Sequence, residues 1–411
     1  MYLTFAWRYF KAKKSANAIN IIAWVTVSVI AFATCCQILV LSVFNGFEGL
    51  VKSLYGAFYT DLKITPAKGK TFLLTPQQID NIKKSNGING ISLIAEEKAL
   101  LQNNDYEDNQ QTNITLKGVD GNYKNITGVA DKTFNGKFET GTVDDPGLVV
   151  GYGIQNATAI NVDDKFQPST VTLILPKRGK VSASNPENSL SEGNAVAKGV
   201  FSIQQEFDNK YAITNIDFVK QQMNFAADEY SAVEIKLNSN ADAAVGQLSL
   251  QKMLGSGYII RTKYQQNQSL YSTMKMEKWF IYAILTLILL VAAFNMISAL
   301  TMLVLEKQKD ITILQSMGAA KKMILKIFLS EGLLLAGIGA VSGIILALII
   351  CFLQVKFHLI KIQGGSFLID YFPVKLELAD FILVGSTVAF IAFLASWFPA
   401  RKAANQHIEL R

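Results

Sequence analysis

The chain is poor in the residues from which most reactive sites are built. Of 411 residues, three are cysteine and two are histidine. Cys35, Cys36 and Cys351 lie inside apolar runs, and the long polar segment 48–278 has none. No disulfide framework therefore holds that segment together, and the Cys35-Cys36 pair reads as small apolar packing. His358 and His407 stand too far apart in sequence to suggest a zinc cluster. The G-x-x-x-x-G-K-[ST] phosphate loop is missing, so the chain is assigned no ATPase site of its own. G-x-S-x-G, H-E-x-x-H and C-x-x-C are missing as well. The paired acids Asp144-Asp145 and Asp163-Asp164 are adjacent residues beside turn formers. Neighbours in a strand face opposite ways, so they read as solvated turns. Nothing supports an enzymatic reading.

What is abundant is apolar surface. Half the residues are hydrophobic and only 17% are charged, a mixture that fits membrane spans joined to an aqueous domain. Four windows, 19–43, 279–305, 324–352 and 381–399, meet the requirement of about 20 mostly apolar residues for a crossing. The first has too long an apolar core, and no small-residue cleavage site, for a removed signal peptide. It is read as an anchor.

Charge placement sets the expected orientation. Residues 1–14 carry Arg8, Lys11, Lys13 and Lys14 with no acid. Residues 306–326 carry five bases against two acids, and the tail has Arg401, Lys402 and Arg411 against Glu409. The positive-inside bias puts both termini and the 306–323 insert in the cytoplasm. The formal net charge of +7 is thus a topology signal, and no nucleic-acid partner is expected. The expected layout is an amphipathic cytoplasmic start (1–18), span 1 (19–43), an exported α+β domain with helical stalks (44–278) and span 2 (279–305). A cytoplasmic insert (306–323), span 3 (324–352), an outer loop (353–380), span 4 (381–399) and a cytoplasmic tail (400–411) follow.

Val43, Phe44, Phe47, Leu50, Val51 and Leu54 recur at helical spacing, so one apolar stripe continues outward from span 1. Residues 264–280 read as a second stalk entering span 2. Within the domain, "DLKITP", "VTLILP", "AVEIKL" and "GYIIRT" are strand-like. Segments 75–85 and 241–254 read as helices, the first opened by Thr75 and Pro76. The polar stretch 177–199 is expected to be a mobile loop or projecting hairpin, and 102–113 a second flexible loop.

Three further features stand out. Span 3 carries Gly332, Gly337, Gly339 and Gly343 with alanines between; small residues four apart let helices approach closely in lipid, either within the chain or across a dimer. Glu331 is the one acid inside a span. Such a charge marks function by default, although it lies near the cytoplasmic end, within reach of the interface or of a lysine such as Lys326 or Lys278. In the insert, Ile311, Leu314 and Met317 line one side of a helix, while Glu306, Lys307, Lys309 and Asp310 take others, and Gly318 permits a break. A helix resting on lipid and a helix docking into a partner's groove both remain open. The mixed-sign face fits the groove better.

"EKQKDITILQSMGAAKKMILKIFLSEG" (306–332) resembles the coupling segment of the FtsX-like/MacB-type permeases, E-K-x-x-[DE]-I-x-x-L-x-x-x-G-A, which meets an ABC ATPase. "WFPARKAANQHIELR" is similar to that family's ending, with His407 where proline is common. "FAWRYFKAKKSANAINIIAWVTV" and "LSVFNGFEGLVKSL" resemble the lipoprotein-releasing permeases of the Lol system; Phe32 to Cys36 stand where that family often has glycine. The resemblance implies a fold of four transmembrane helices with a MacB-like periplasmic domain inserted between helices 1 and 2. It implies two permease chains, as homodimer or heterodimer, with a separate ABC ATPase that binds ATP and Mg; the chain itself holds no cofactor.

By the same resemblance, Glu306, Lys307, Asp310, Ile311, Leu314, Met317 and Gly318 meet the ATPase. Leu41, Phe44, Phe47, Leu50, Tyr271 and Met274 would line a cavity for the lipoprotein's acyl chains, with stalk packing the alternative for Phe44 and Phe47. The 177–199 loop, with Lys177, Arg178 and Pro186, would dock a periplasmic carrier chaperone. Gly332, Gly339 and Gly343 serve helix packing. The expected function is ATP-driven extraction of lipoproteins from the inner membrane by mechanotransmission. One alternative is a mechanotransmitter for another export path or for a cell-wall hydrolase. Another is an anchored sensor without an ATPase.

Overall fold

The computed structural model describes residues 17–105, 110–162, 167–177, 189–362 and 371–405. Arg178 and Pro186, expected at the carrier loop, lie outside them, as does the Asp163-Asp164 pair. Among the described residues, the helices of eight or more residues are α1 (Asn17–Phe58), α2 (Pro76–Lys83), α3 (Ile216–Met223), α4 (Ala243–Leu254), α5 (Gln268–Glu306), α6 (Gln308–Ser316), α7 (Lys321–Phe357) and α8 (Leu378–Ala404). Twelve strands lie between α1 and α5: β1 (Leu62–Pro66), β2 (Phe72–Leu73), β3 (Ile88–Asn103), β4 (Gln111–Val119), β5 (Thr133–Gly136) and β6 (Gly147–Gly151), then β7 (Thr170–Pro176), β8 (Leu190–Phe201), β9 (Tyr211–Asn215), β10 (Glu229–Tyr230), β11 (Ala232–Leu237) and β12 (Tyr258–Thr262). The chain divides into two compact units, residues 51–271 and the remainder.

The helical unit follows from the apolar runs. α1, α5, α7 and α8 are each long and apolar enough to cross a bilayer. At 1.5 Å per residue, the 42 residues of α1 span about 63 Å, roughly twice the hydrocarbon thickness of about 30 Å. α1 and α5 therefore contain far more helix than a crossing needs. Their shared core includes Val27, Ile30, Ile38 and Leu41 of α1, Leu289 and Met296 of α5, Leu335 and Ala347 of α7, and Val384 and Val388 of α8. Cys35 is one of these packing residues. Across this core, Gln37 donates to Thr286 at 3.4 Å, and Tyr282 is hydrogen-bonded to Thr387.

The α+β unit is organised by β3, which is 16 residues long. Its first half, Ile88 to Ile94, pairs with β11, which continues through β1 to β12. Its second half pairs with β4 over Ile94–Gln102 and with β7 over Leu100–Asn103. The succession β3-β4-β9-β6-β8-β7 returns to β3, so six strands close a ring. One core, including Leu62, Ile64, Leu101, Leu116 and Val150, takes in α2 through Ile82, α3 through Phe218 and Val219, and α4 through Leu250. Local chemistry places those helices. Thr75 and Gln78 form a capping box around Pro76, while Asn215 and Asp242 cap α3 and α4.

The second core receives the end of α1. Tyr55 and Phe58 are buried with Ile94, Val119, Tyr123, Phe201 and Phe207. Phe58 stacks on Phe207 at 4.4 Å, and Tyr55 donates to Glu206 at 2.7 Å. Behind Phe58 sits Lys117, fully buried, 2.7 Å from Glu234 and 3.1 Å from the Tyr123 hydroxyl.

Within 177–199, expected to be a mobile loop or projecting hairpin, β8 begins at Leu190 and pairs with β7 from Pro176↔Leu190 onward, so residues 190–199 are the returning strand of a hairpin. β3 extends to Asn103 and β4 starts at Gln111, so residues 102–103 and 111–113 of the expected second loop are strand. Polar side chains hid both strand ends, whose pairing is made through the backbone.

Candidate functional site

The insert forms α6, one short helix with well-defined ends. Lys307 precedes it and pairs with Asp310 at 3.5 Å. At its far end, Ala319 N–H donates to Leu314 O and Gly318 N–H to Gln315 O, each at 3.0 Å. This is the Schellman arrangement. It needs a left-handed residue, and Gly318 supplies it at φ +89°. Glu306 is exposed, while Lys307 and Asp310 are half-buried.

The expected apolar ridge splits in two. Ile311 is 2% exposed and packs with Val304, Ile324, Phe328, Ala400 and Ala403. Burying such a side chain stabilises by roughly 1.5–3 kcal/mol, so Ile311 seats α6 on α7 and α8. Leu314 is half-buried. Met317 is 80% exposed, and so is Ile313 at 58%. Ile313 was missed because it lies off the three- and four-residue ridge. That same displacement turns it away from the core and towards any partner.

Glu331 is buried one helical stretch below α6. It lines a cavity of about 10 Å³ with Lys307, Asp310, Ile311, Leu314, Ile324, Ile327 and Phe328, a volume close to that of one water. Lys278, one of its expected partners, is committed elsewhere. Its ammonium is 3.1 Å from Asp380 and donates to Asn45 at 2.8 Å.

The span-3 glycines face neighbours in the same chain. A β-carbon at Gly332 would meet Ser396 Oγ at 2.1 Å, and one at Gly339 would meet Val27 O and Ile30 at 3.0 Å. At Gly343 it would meet Ala31 O at 2.4 Å, whereas at Gly337 nothing lies within 4 Å. Three of the four glycines thus let α7 touch α8 and α1.

The residues expected at a lipid cavity occupy different settings. Leu41 is fully buried in the helical core, so it lines no opening of this chain. Phe44 and Leu50 are half-buried, and Met274 is buried. Phe47 packs edge-on against Phe372, with centroids 5.7 Å apart. In the other unit, Tyr271 lies 4.9 Å from Tyr264, with the Lys52 ammonium 5.9 Å from its ring. Of the carrier-loop residues, Lys177 stands at the hairpin base, its N–H donating to Ser189 O at 2.7 Å.

Sequence reasoning passed over a polar cluster. Asn45 of α1 donates to Asp380 of α8 at 2.5 Å and accepts from Lys278 of α5. Asn45 and Asp380 are both buried. The available signal was two lone charges, Lys278 and Asp380, each flanking an apolar run.

Comparison with known proteins shows what the chain resembles. The FtsX-like permease C-terminal family matches residues 282–408. The lipoprotein-releasing system transmembrane protein LolC of Neisseria meningitidis serogroup B is 27% identical over 420 residues, covering 97% of this chain and 95% of the relative. LolE of Haemophilus influenzae, a lipoprotein-releasing system transmembrane protein, is 26% identical, with 97% and 96% covered. The crystal structure of the periplasmic region of MacB from Actinobacillus actinomycetemcomitans covers 54% of this chain and 98% of its own, at 14% identity and a TM-score of 0.38. Residues 282–408 thus match an FtsX-like permease domain, and the chain is similar along 97% of its length to lipoprotein-releasing transmembrane proteins.

Proposed function

We propose that the chain is the permease subunit of an ABC transporter that extracts lipoproteins from the outer leaflet of the inner membrane and passes them to a periplasmic carrier. A separate ATPase, binding ATP and Mg, docks on α6 and supplies the work. A second permease chain completes the complex. The domain between α1 and α5 faces the periplasm, and α6 and both termini face the cytoplasm. The observation that carries this reading is likeness to lipoprotein-releasing transmembrane proteins along 97% of the chain.

Physical chemistry supports the division of labour. Each acyl methylene moved into water costs about 0.8 kcal/mol, so extraction needs work and an apolar receiver. α6 presents Ile313 and Met317 outward while Ile311 holds its other side, an arrangement suited to receiving a push. α1 is helical from Asn17 to Phe58, with Tyr55 and Phe58 buried at its end. Phe44 is the candidate contact for acyl chains.

A photoreactive lipoprotein added to the assembled complex tests the reading. Cross-linking to a probe at Phe44, reversed by ATP and carrier, is the expected result. A chain that co-purifies with an ATPase but never cross-links lipid would belong to the mechanotransmitter class acting on another export path or a hydrolase.

A further inference from the structure

Ser42, Gly46 and Phe47 of α1 each meet the segment that leads into α8. Ser42 O accepts from Lys375 N–H at 3.0 Å. A β-carbon on Gly46 would meet Pro373 O at 2.2 Å and Val374 N at 2.8 Å, so only glycine admits this backbone. Phe47 receives the edge of Phe372. Asn45 is held by Asp380 and Lys278. The segment is tied at both ends, because Gln354 of α7 donates to Phe372 O at 3.2 Å and Asp380 opens α8 inside the polar cluster. Three residues of α1, Ser42, Gly46 and Phe47, thus meet one extended strap, residues 371–377, and Asn45 meets Asp380 just beyond it.

This contact conflicts with an empty cavity. The face of α1 that carries Phe47 cannot hold Phe372 and an acyl chain together. The middle of the strap rests on α1 through one backbone hydrogen bond, one ring contact and the close approach of Pro373 to Gly46, with no charged group among them. It is fixed on one side by the Lys278–Asp380 ion pair just beyond it and on the other by the bond from Gln354 to Phe372 O. Buried charge in lipid is expensive to rearrange, whereas an apolar ring on an apolar face is replaced by an acyl chain without loss of burial. The middle is the part that can yield.

We propose that residues 371–377 form an intramolecular occupant of the Phe47 face in the cargo-free chain, displaced when a lipid chain arrives, with the Asn45–Lys278–Asp380 cluster as its fixed end. The proposal rests on the reading that α1 receives acyl chains.

The test uses the full complex in membranes. The native cysteines are replaced and Val374→Cys is probed with an impermeant maleimide. Val374 is half-buried with the strap docked, so displacement of the strap by a diacylated lipopeptide is expected to raise its labelling rate about threefold or more. Gly46→Ala, whose methyl would enter the Pro373 carbonyl while α1 keeps a good helix former, is expected to give the fast rate without lipopeptide. Phe372→Ala, which removes only the ring, is expected to lie between. If a photoreactive lipopeptide cross-links at Phe44 while Val374→Cys labelling stays unchanged, the strap proposal falls and the cargo reading stands. If no cross-link forms at Phe44, the cargo reading falls and takes the strap's role with it.

Discussion

Lys117 and Glu234 meet at 2.7 Å with both side chains out of water, and the same ammonium lies 4.6 Å from the centre of the Phe58 ring. The pair joins β4 and β11, with β3 between them, and places a cation under the end of α1. Lys63 on β1 approaches Glu234 at 3.7 Å and Glu96 on β3 at 3.6 Å, extending the charges over four neighbouring strands.

Lys117→Met removes the close partner of the buried Glu234 and leaves it Lys63 at 3.7 Å, a change that costs up to roughly 3–5 kcal/mol. Thermal unfolding of the detergent-solubilised full chain should fall sharply. The double variant Lys117→Met/Glu234→Leu should recover most of the loss, since a well-packed apolar pair can replace a buried ion pair. A double variant no better than the single one would mean that the Phe58 contact, and not the ion pair, sets the stability.

Glu96 sets an acid limit. Burial alone would raise its pKa, but Lys63, Lys117 and Lys210 outweigh burial and hold it below the usual carboxylate value. Its folded pKa is below its unfolded one, so its contribution is complete above about pH 4.3, the ordinary glutamate value. That contribution is lost as pH falls through the folded value. Protease resistance of the domain within the full chain should decline in that acid range. In Glu96→Gln the decline should be shallower, with lower resistance at neutral pH.

How much of this was legible follows from which residues carry local signals. The four long helices are written in apolar runs, and α2 in the Thr75-Pro76-Gln78 cap. β1, β7, β11 and β12 show in their β-branched content. β3 does not, because "AEEKALL" is built of good helix formers and becomes a strand only through β4, β7 and β11, partners set by tertiary context. The insert was readable as amphipathic. Which of its apolar residues face inward depended on Ala400 and Ala403, 89 or more positions further along the chain. The Asn45 cluster was beyond reach for the same reason, since Asn45 and Asp380 are 335 residues apart.

The glycines of α7 make a graded prediction. Gly343→Leu drives a side chain into Ala31 O, and Gly339→Leu drives one into Val27 O and Ile30. Overpacking of this kind costs about 1–3 kcal/mol, so both should lower the thermal aggregation midpoint of the full chain in detergent. Gly337→Leu meets nothing within 4 Å and should be silent. If Gly337→Leu instead disrupted the complex while the isolated chain stayed stable, the α7 stripe would also serve a contact between subunits.

α6 gives the sharpest separation between fold and coupling. Ile311→Asp buries a carboxylate among Val304, Ile324, Phe328 and Ala400, so it should destabilise the chain itself and reduce its amount in the membrane. Ile313→Asp and Met317→Asp alter exposed side chains and should leave insertion and thermal stability within about 0.5 kcal/mol of the parent. If α6 enters an apolar groove on the ATPase, those two substitutions should nevertheless weaken co-purification and uncouple ATP hydrolysis from lipoprotein release. The opposite order, with Ile313 and Met317 tolerant and Lys309→Glu or Lys322→Glu damaging, would mark α6 as a helix held by anionic lipid. Co-purification yield and the ratio of ATP hydrolysed to lipoprotein released, measured on the same preparations, decide between the two.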